Sequence, residues 1–177
     1  KDGFLVGSHA TKYLLEKSRI VTASPDEPIY HSFYLLLKGA DREKHKLDSI
    51  KDYKPPNAGG CTDIPGVDDA EDYQIVNEAM APCGVQPAEC ESIWKTLAGL
   101  LTMQRVDFAD KDGSQDKCEV AGGSSMSDLQ SACTKWSVDP EVLQKELTTT
   151  TLVIQKQQVV RDLTRAKAYD ARDSLCK

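Results

Sequence analysis

Apolar residues recur along this chain in three rhythms. Over 87–103, Cys90, Ile93, Trp94, Leu97, Leu100 and Leu101 follow the i, i+3, i+4, i+7 spacing, the signature of one apolar stripe on an α-helix. Over 29–37, large apolar residues stand at 29, 30, 33, 34, 36 and 37. They cover most of a helical circumference, so this second helix is predicted to be buried on nearly all sides. Pro28 suits its first turn, Lys38 its last, and Gly39 the stop after it. The third rhythm is that of strands. Residues 4–15 mix β-branched, aromatic and apolar side chains, and Glu16-Lys17-Ser18-Arg19 turns the chain towards the buried helix. This strand has no hairpin partner in the sequence. Because a lone strand is not stable, its partner is expected upstream of Lys1, as in a piece of a larger protein.

Capping residues place the remaining elements. Residues 40–50 read as a polar helix or helical turn with Leu47 and Ile50 inside, and 53–66 as a Pro- and Gly-rich loop. Asp68 with Glu71 has capping-box spacing, ahead of a helix carrying Ile75, Val76, Ala79 and Met80 on one face and ended by Pro82 and Gly84. Short strands are predicted at 106–108 and 118–120. Gly122-Gly-Ser-Ser reads as a flexible joint, and Ser127 with Gln130 as the cap of a helix carrying Leu129, Ala132, Cys133 and Trp136. Asp139 is a predicted N-cap, with Pro140 at the first helical position and Val138 stapling onto Leu143. The Thr, Val, Ile and Leu content of 148–160 reads as strand, broken at 155–158, hence a hairpin. Thr164 starts a final helix through Tyr169 and Leu175 with no stop before Lys177. The fold class is therefore mainly α: a helical bundle-like single domain over 1–177 with a few short strands and a β-hairpin loop.

Composition narrows the function. A chain of 177 residues can bury a core. Its net charge of −6 argues against a general nucleic-acid binder. No apolar run is long enough to span a membrane, and no signal peptide opens the chain. Six cysteines without a C-x-x-C pair read as reduced thiols of a cytoplasmic protein. The acidic run 63–72 complements a helix start rather than a metal, since no His or regular ligand spacing joins it. In 110–116 the Gly and the twelfth position do not fit a calcium loop, so it reads as a turn. His31 is expected to be a satisfied core residue. No phosphate-binding Gly-x-x-x-x-Gly-Lys-Ser/Thr loop occurs, and no nucleophile has a base at motif spacing. No catalytic, cofactor or metal residue is expected in this chain.

Tyr13-Leu14-Leu15-Glu16-Lys17-Ser18-Arg19, followed by Tyr30-His31-x-Phe33-Tyr34-x-Leu36-Leu37, resembles the myosin motor domain just after its switch I loop. Asn57-Ala-Gly59-Gly60-Cys61-x-x-Ile64-Pro65-Gly66-Val67-Asp68-Asp69-Ala70-Glu71-Asp72-Tyr73 continues the likeness. So do Glu78-Ala79-Met80, the helix over 93–101, Val138-Asp139-Pro140-Glu141 and Ala171-Arg172-Asp173-Ser174-Leu175. The resemblance implies the upper fifty-kilodalton subdomain of the motor, between switch I and switch II, forming one wall of the actin-binding cleft. It implies F-actin and the rest of the motor as partners, MgATP as cofactor of a parent ATPase, and a place on the actin cytoskeleton. Residues 1–21 would couple actin contact to a nucleotide site outside this segment. The hairpin 148–162 would touch actin through Thr150, Gln155, Lys156, Gln157, Gln158 and Arg161. Gln157 falls at the family's regulatory position, sixteen residues before Asp173, where an acid or a phosphorylatable Ser or Thr is usual. Leu101-Thr-Met-Gln-Arg105 and Thr150 depart from the family pattern and imply a divergent, unconventional class. The rival reading is a free-standing helical interaction module without motor activity.

Overall fold

The structure is a computed structural model that describes residues 3, 7, 9, 11, 13, 16–39, 42–154 and 156–177. Most of the 4–15 segment, expected as a strand, lies outside the described residues, and so does Gln155.

Helix α1 (His31–Lys38) buries Phe33, Tyr34, Leu35, Leu36 and Leu37, as its nearly all-round apolar pattern predicts. It starts later than expected. Tyr30 is the N-cap, so Pro28 precedes the helix instead of opening it. His31 is consequently the first helical residue and is exposed, not in the core, because the buried run begins only at Phe33. Gly39 ends the helix through close packing. A Cβ there would sit 2.6 Å from Tyr73 Cγ and 2.5 Å from Leu35 O.

Where described, the segment 42–50 holds no α-helix but fits the helical-turn alternative, with Arg42 in a 3-10 turn, Leu47 buried and Ile50 packed against the core. It turns over Glu43–Lys46, with Lys46 at φ 53, and a short 3-10 turn follows at Ile50–Asp52. The expected loop after it holds a one-turn helix, α2 (Lys54–Ala58). Its two prolines fall in the first turn, where no backbone donor is needed.

Helix α3 (Asp69–Met80) is capped by Asp68, whose Oδ1 accepts from Ala70 N and Glu71 N, both at 3.1 Å. Its fully buried ring is Tyr73; of the expected face Val76 and Met80 pack half-buried against the core, while Ile75 and Ala79 are exposed. Tyr73 stacks on Trp94 of α4 (Pro87–Met103) with ring centroids 4.8 Å apart. Asn77 Oδ1 accepts from Trp94 Nε1 at 2.7 Å. The predicted bounds of α4 hold, although Ile93 points outward. These three helices enclose one core.

A second core gathers around a hairpin, β1 (Phe108–Lys111) and β2 (Ser114–Val120). Asp112 (φ 53) and Gly113 (φ 70) supply the two left-handed residues that a tight hairpin turn needs. Helix α5 (Ser124–Trp136) begins at Ser124, not at the expected Ser127 cap. Gly122-Gly123 is therefore a helix entry and not a loose joint; Gly123, at φ 68, is the N-cap. Packing of α5 on α4 is tight at Gly99, where a Cβ would lie 2.2 Å from Trp136 Nε1. Asp139 caps α6 (Pro140–Thr148), accepting from Glu141 N and Val142 N. Val138, expected to staple that start, is exposed.

The strands β3 (Thr149–Ile154) and β4 (Gln157–Asp162) form a second two-stranded antiparallel sheet. Thr164 caps α7 (Arg165–Cys176). Among the described residues the fold is thus mainly α with two small hairpins. All six cysteines are free thiols. Among the described residues no helix is long and apolar enough to cross a membrane, and no cluster of three metal-ligating side chains occurs.

Candidate functional site

The β3–β4 hairpin grows directly out of α6. At its base Leu163 N donates to Thr148 O at 2.8 Å, and Thr149 Oγ1 donates to Lys145 O at 2.9 Å. From there the pairing runs Thr149↔Asp162, Thr150↔Arg161, Thr151↔Val160, Leu152↔Val159, Val153↔Gln158 and Ile154↔Gln157. Lys156, exposed and at φ 69, sits in the turn between the strands. A tight left-handed turn suffices, so Gln157 and Gln158 belong to β4 and not to the turn where sequence content had put them.

Alternation along a strand sorts the side chains onto two faces. Thr150 and Arg161 form a cross-strand pair on the same face as Gln157, and all three are exposed. Gln158 faces the other way, opposite Val153. Lys156 and Arg161 stand at opposite ends of β4, about 16 Å apart at the usual strand rise. The six expected residues therefore do not make one cluster: three share a face, Lys156 marks the tip, Gln158 lies behind, and Gln155 lies outside the described residues.

Sequence content had not singled out the apolar surface of this hairpin. Val153 is 70 % exposed, Val160 54 % and Leu152 39 %. Val153 and Val160 share the face of Gln158. A β-branched run says strand, but says nothing about which strands stay uncovered. The hairpin base also reaches the second core: burial, and then Asp162 and Asp110 beside it, push the Cys118 thiol pKa up.

A polar relay links the first described segment to the last helix. Gln104 Nε2 donates to Ile20 O at 2.9 Å. Gln104 O accepts from Arg172 Nη1 at 3.3 Å, and Val106 O accepts from the same nitrogen at 2.9 Å. Arg172 lies over the Tyr169 ring, whose hydroxyl donates to Asp107 Oδ1 at 3.2 Å. Next to Gln104, Arg105 binds Asp48 and, at 3.1 Å, Asp128. These contacts hold the guanidinium charged despite its burial. Both residues fall in the stretch that departs from the resembled family's pattern.

The family described as Myosin head (motor domain) matches residues 1–177. Unconventional myosin-XVB of Homo sapiens is 33 % identical over 180 residues, which is 100 % of this chain and 6 % of that protein. Unconventional myosin-XV of Homo sapiens is 34 % identical over 178 residues, 99 % of this chain and 5 % of the relative. Myosin-4 of Saccharomyces cerevisiae is 33 % identical over 174 residues, 97 % of this chain and 12 % of the relative. The chain thus spans between 5 % and 12 % of the length of these relatives.

Proposed function

The chain belongs to the myosin head (motor domain) family, and from that premise we propose that it serves an actin-based motor as the upper wall of its actin-binding cleft. The β3–β4 hairpin is the contact. Thr150, Gln157 and Arg161 face F-actin on one side of the ribbon, with Lys156 at the tip and Gln158 behind it; Gln155, outside the described residues, belongs to the same proposed contact. One observation carries this reading: a hairpin fixed at its base to α6 stands in solvent on both faces, with Leu152 beside Thr150, Gln157 and Arg161 and with Val153 and Val160 on the reverse. Exposed apolar side chains rimmed by polar ones mark a surface that meets a partner. Lys156 and Arg161 add positive charge at both ends of β4, suited to an acidic filament.

Gln157 stands at the regulatory position and carries no charge. It accepts no phosphate, so actin binding has no phosphorylation switch at this point. The relay from Ile20 through Gln104 to Arg172 supports a coupling role for the segment before α1. Donors along this relay already serve backbone carbonyls, so a movement at one end must displace the other or break a buried hydrogen bond.

The motor's MgATP does not fit this chain's own residues. The sequence has no Gly-rich phosphate loop with its lysine and hydroxyl, so no nucleotide step is assigned to it. Work on the actin cytoskeleton in the cytoplasm follows from the motor reading. The test is Gln157→Glu in the motor that carries this chain. Actin-activated turnover should change while basal ATPase stays the same. An unchanged actin-activated rate removes the regulatory assignment.

A further inference from the structure

A trough runs along one face of α5. Ser124, Ser127, Asp128, Ser131, Thr134 and Lys135 line a cleft of about 690 Å³, and their spacing of three, four and seven keeps them on a single side of the helix. From Ser124 to Lys135 that side is about 16 Å long at the helical rise. Lys44 and Lys46 of the 43–46 turn and Glu91 and Lys95 of α4 line its other sides. A second cleft, of about 360 Å³, shares Glu91, Lys95 and Lys135 with the first and adds the half-buried Trp136. No residue of the β3–β4 hairpin lines either one.

Charge along the trough opposes that of the whole chain. Five side chains of the first cleft are Lys or Arg and three are Asp or Glu, although the net charge of the chain is −6. The three acids are already paired, Glu91 with Lys44, and Asp48 and Asp128 with Arg105. Among the described residues Lys46, Lys95 and Lys135 form no ion pair; Lys135 Nζ donates to a neutral partner, Ser131 Oγ, at 2.6 Å. The lysine stems and the Thr134 methyl give the trough carbon surface between its charges. The Lys44–Glu91 and Asp48–Arg105 pairs tie the turn to α4 and to the residue that follows its end. The walls are therefore set before a ligand arrives, which lowers the cost of binding one.

We propose that the trough docks an extended acidic segment of a partner polypeptide, with carboxylates on successive residues meeting Lys46, Lys95 and Lys135 and an apolar side chain resting beside Trp136. About five residues in extended form span the length of the α5 face, whereas no compact ion reaches both of its ends. The three lysines need not converge on one point for such a ligand. Ser124 and Ser127 are exposed at the end of α5 away from Trp136, and their hydroxyls donate to carbonyls of the docked backbone. Complementary charge selects the segment and steers its approach, and the carbon surface between the lysines covers its side-chain stems.

The test uses the complete motor that carries this chain and a fluorescein-labelled peptide, Glu-Glu-Phe-Glu-Glu-Glu, followed by fluorescence anisotropy at fixed ionic strength. Saturable one-site binding is expected. The same peptide with Gln for every Glu should not bind, and pyrophosphate should not displace the acidic one. Lys46→Met and Lys95→Met should each weaken binding about fivefold. Lys117→Met on β2 and Lys156→Met in the β3–β4 turn should leave it unchanged, the second control separating this dock from the proposed actin contact. Lys46 is exposed in a turn, so its variant keeps the test sound if Lys95→Met fails to fold. Five results would each overturn the proposal: no saturable binding, wild-type affinity in Lys46→Met or in folded Lys95→Met, an equal loss in either control variant, binding of the Gln peptide, or displacement by pyrophosphate.

Discussion

Among the described residues, two antiparallel hairpins of similar length have opposite fates. The β1–β2 hairpin packs under α6 and α7, with Phe108 and Val120 each 4 % exposed and the Phe108 ring edge-on to Tyr169 at 5.2 Å. The β3–β4 hairpin leaves the body after its first residues and keeps Val153 and Val160 in water. The buried hairpin is rich in charge, with Asp110, Lys111, Asp116, Lys117 and Glu119; the exposed one is rich in Thr, Val and Ile. Local hydrophobicity therefore does not decide burial here. Position relative to the helices does. A strand pair that leaves apolar side chains in solvent suits a partner, whereas a charged pair with three inward residues, Phe108, Cys118 and Val120, suits the core.

The largest effects should separate the two hairpins by stability. Phe108→Ala removes a buried ring and should cost about 3–4 kcal/mol in chemical denaturation. Val160→Ser, on the exposed hairpin, should stay within about 0.5 kcal/mol. Comparable losses from the two would erase the distinction.

Next is the buried arginine that ties α7 to the second core. Arg172→Met strands the Gln104 and Val106 carbonyls and should cost about 2–3 kcal/mol. The same denaturant curves read it. A loss near zero would mean that the relay is not load-sharing and would weaken its claim to couple the two ends.

A smaller effect should appear at high pH. Burial pushes the Cys176 thiol up from its ordinary 9.0 to about 12, and burial also raises the Cys118 thiol of the core hairpin. A pKa raised by folding favours the neutral form in the folded chain. The associated stability is present below pH 9 and is lost as pH climbs towards 12. Cys176→Ala should flatten that decline in melts between those values. An unchanged slope assigns the alkaline loss to other groups.

Much of this was legible beforehand. The bounds of α4, the Asp139 cap and the existence of the hairpin after α6 follow from periodicity, from an Asp-Pro start and from β-branched content, all local signals. The misses share a different cause. Ile75 and Ile93 sit outward because Tyr73 and Trp94 claim the contact between their helices. Two prolines in a loop concealed α2, and two glycines read as a joint proved to be the entry of α5. For the candidate hairpin, strand content placed the ribbon, but only the register shows that Thr150, Gln157 and Arg161 share a face while Gln158 does not.

On the proposed reading the exposed hairpin, and not the core-packed one, meets actin. This contact is tested most directly by measuring the affinity of the motor carrying this chain for F-actin across a salt series. The account predicts that Lys156→Ala and Arg161→Ala each weaken binding by about 1 kcal/mol or less at low salt, with a shallower salt dependence. It predicts no change for Lys117→Ala on the buried hairpin. Unchanged affinity and salt slope in both β3–β4 variants, or an equal change in Lys117→Ala, would contradict it.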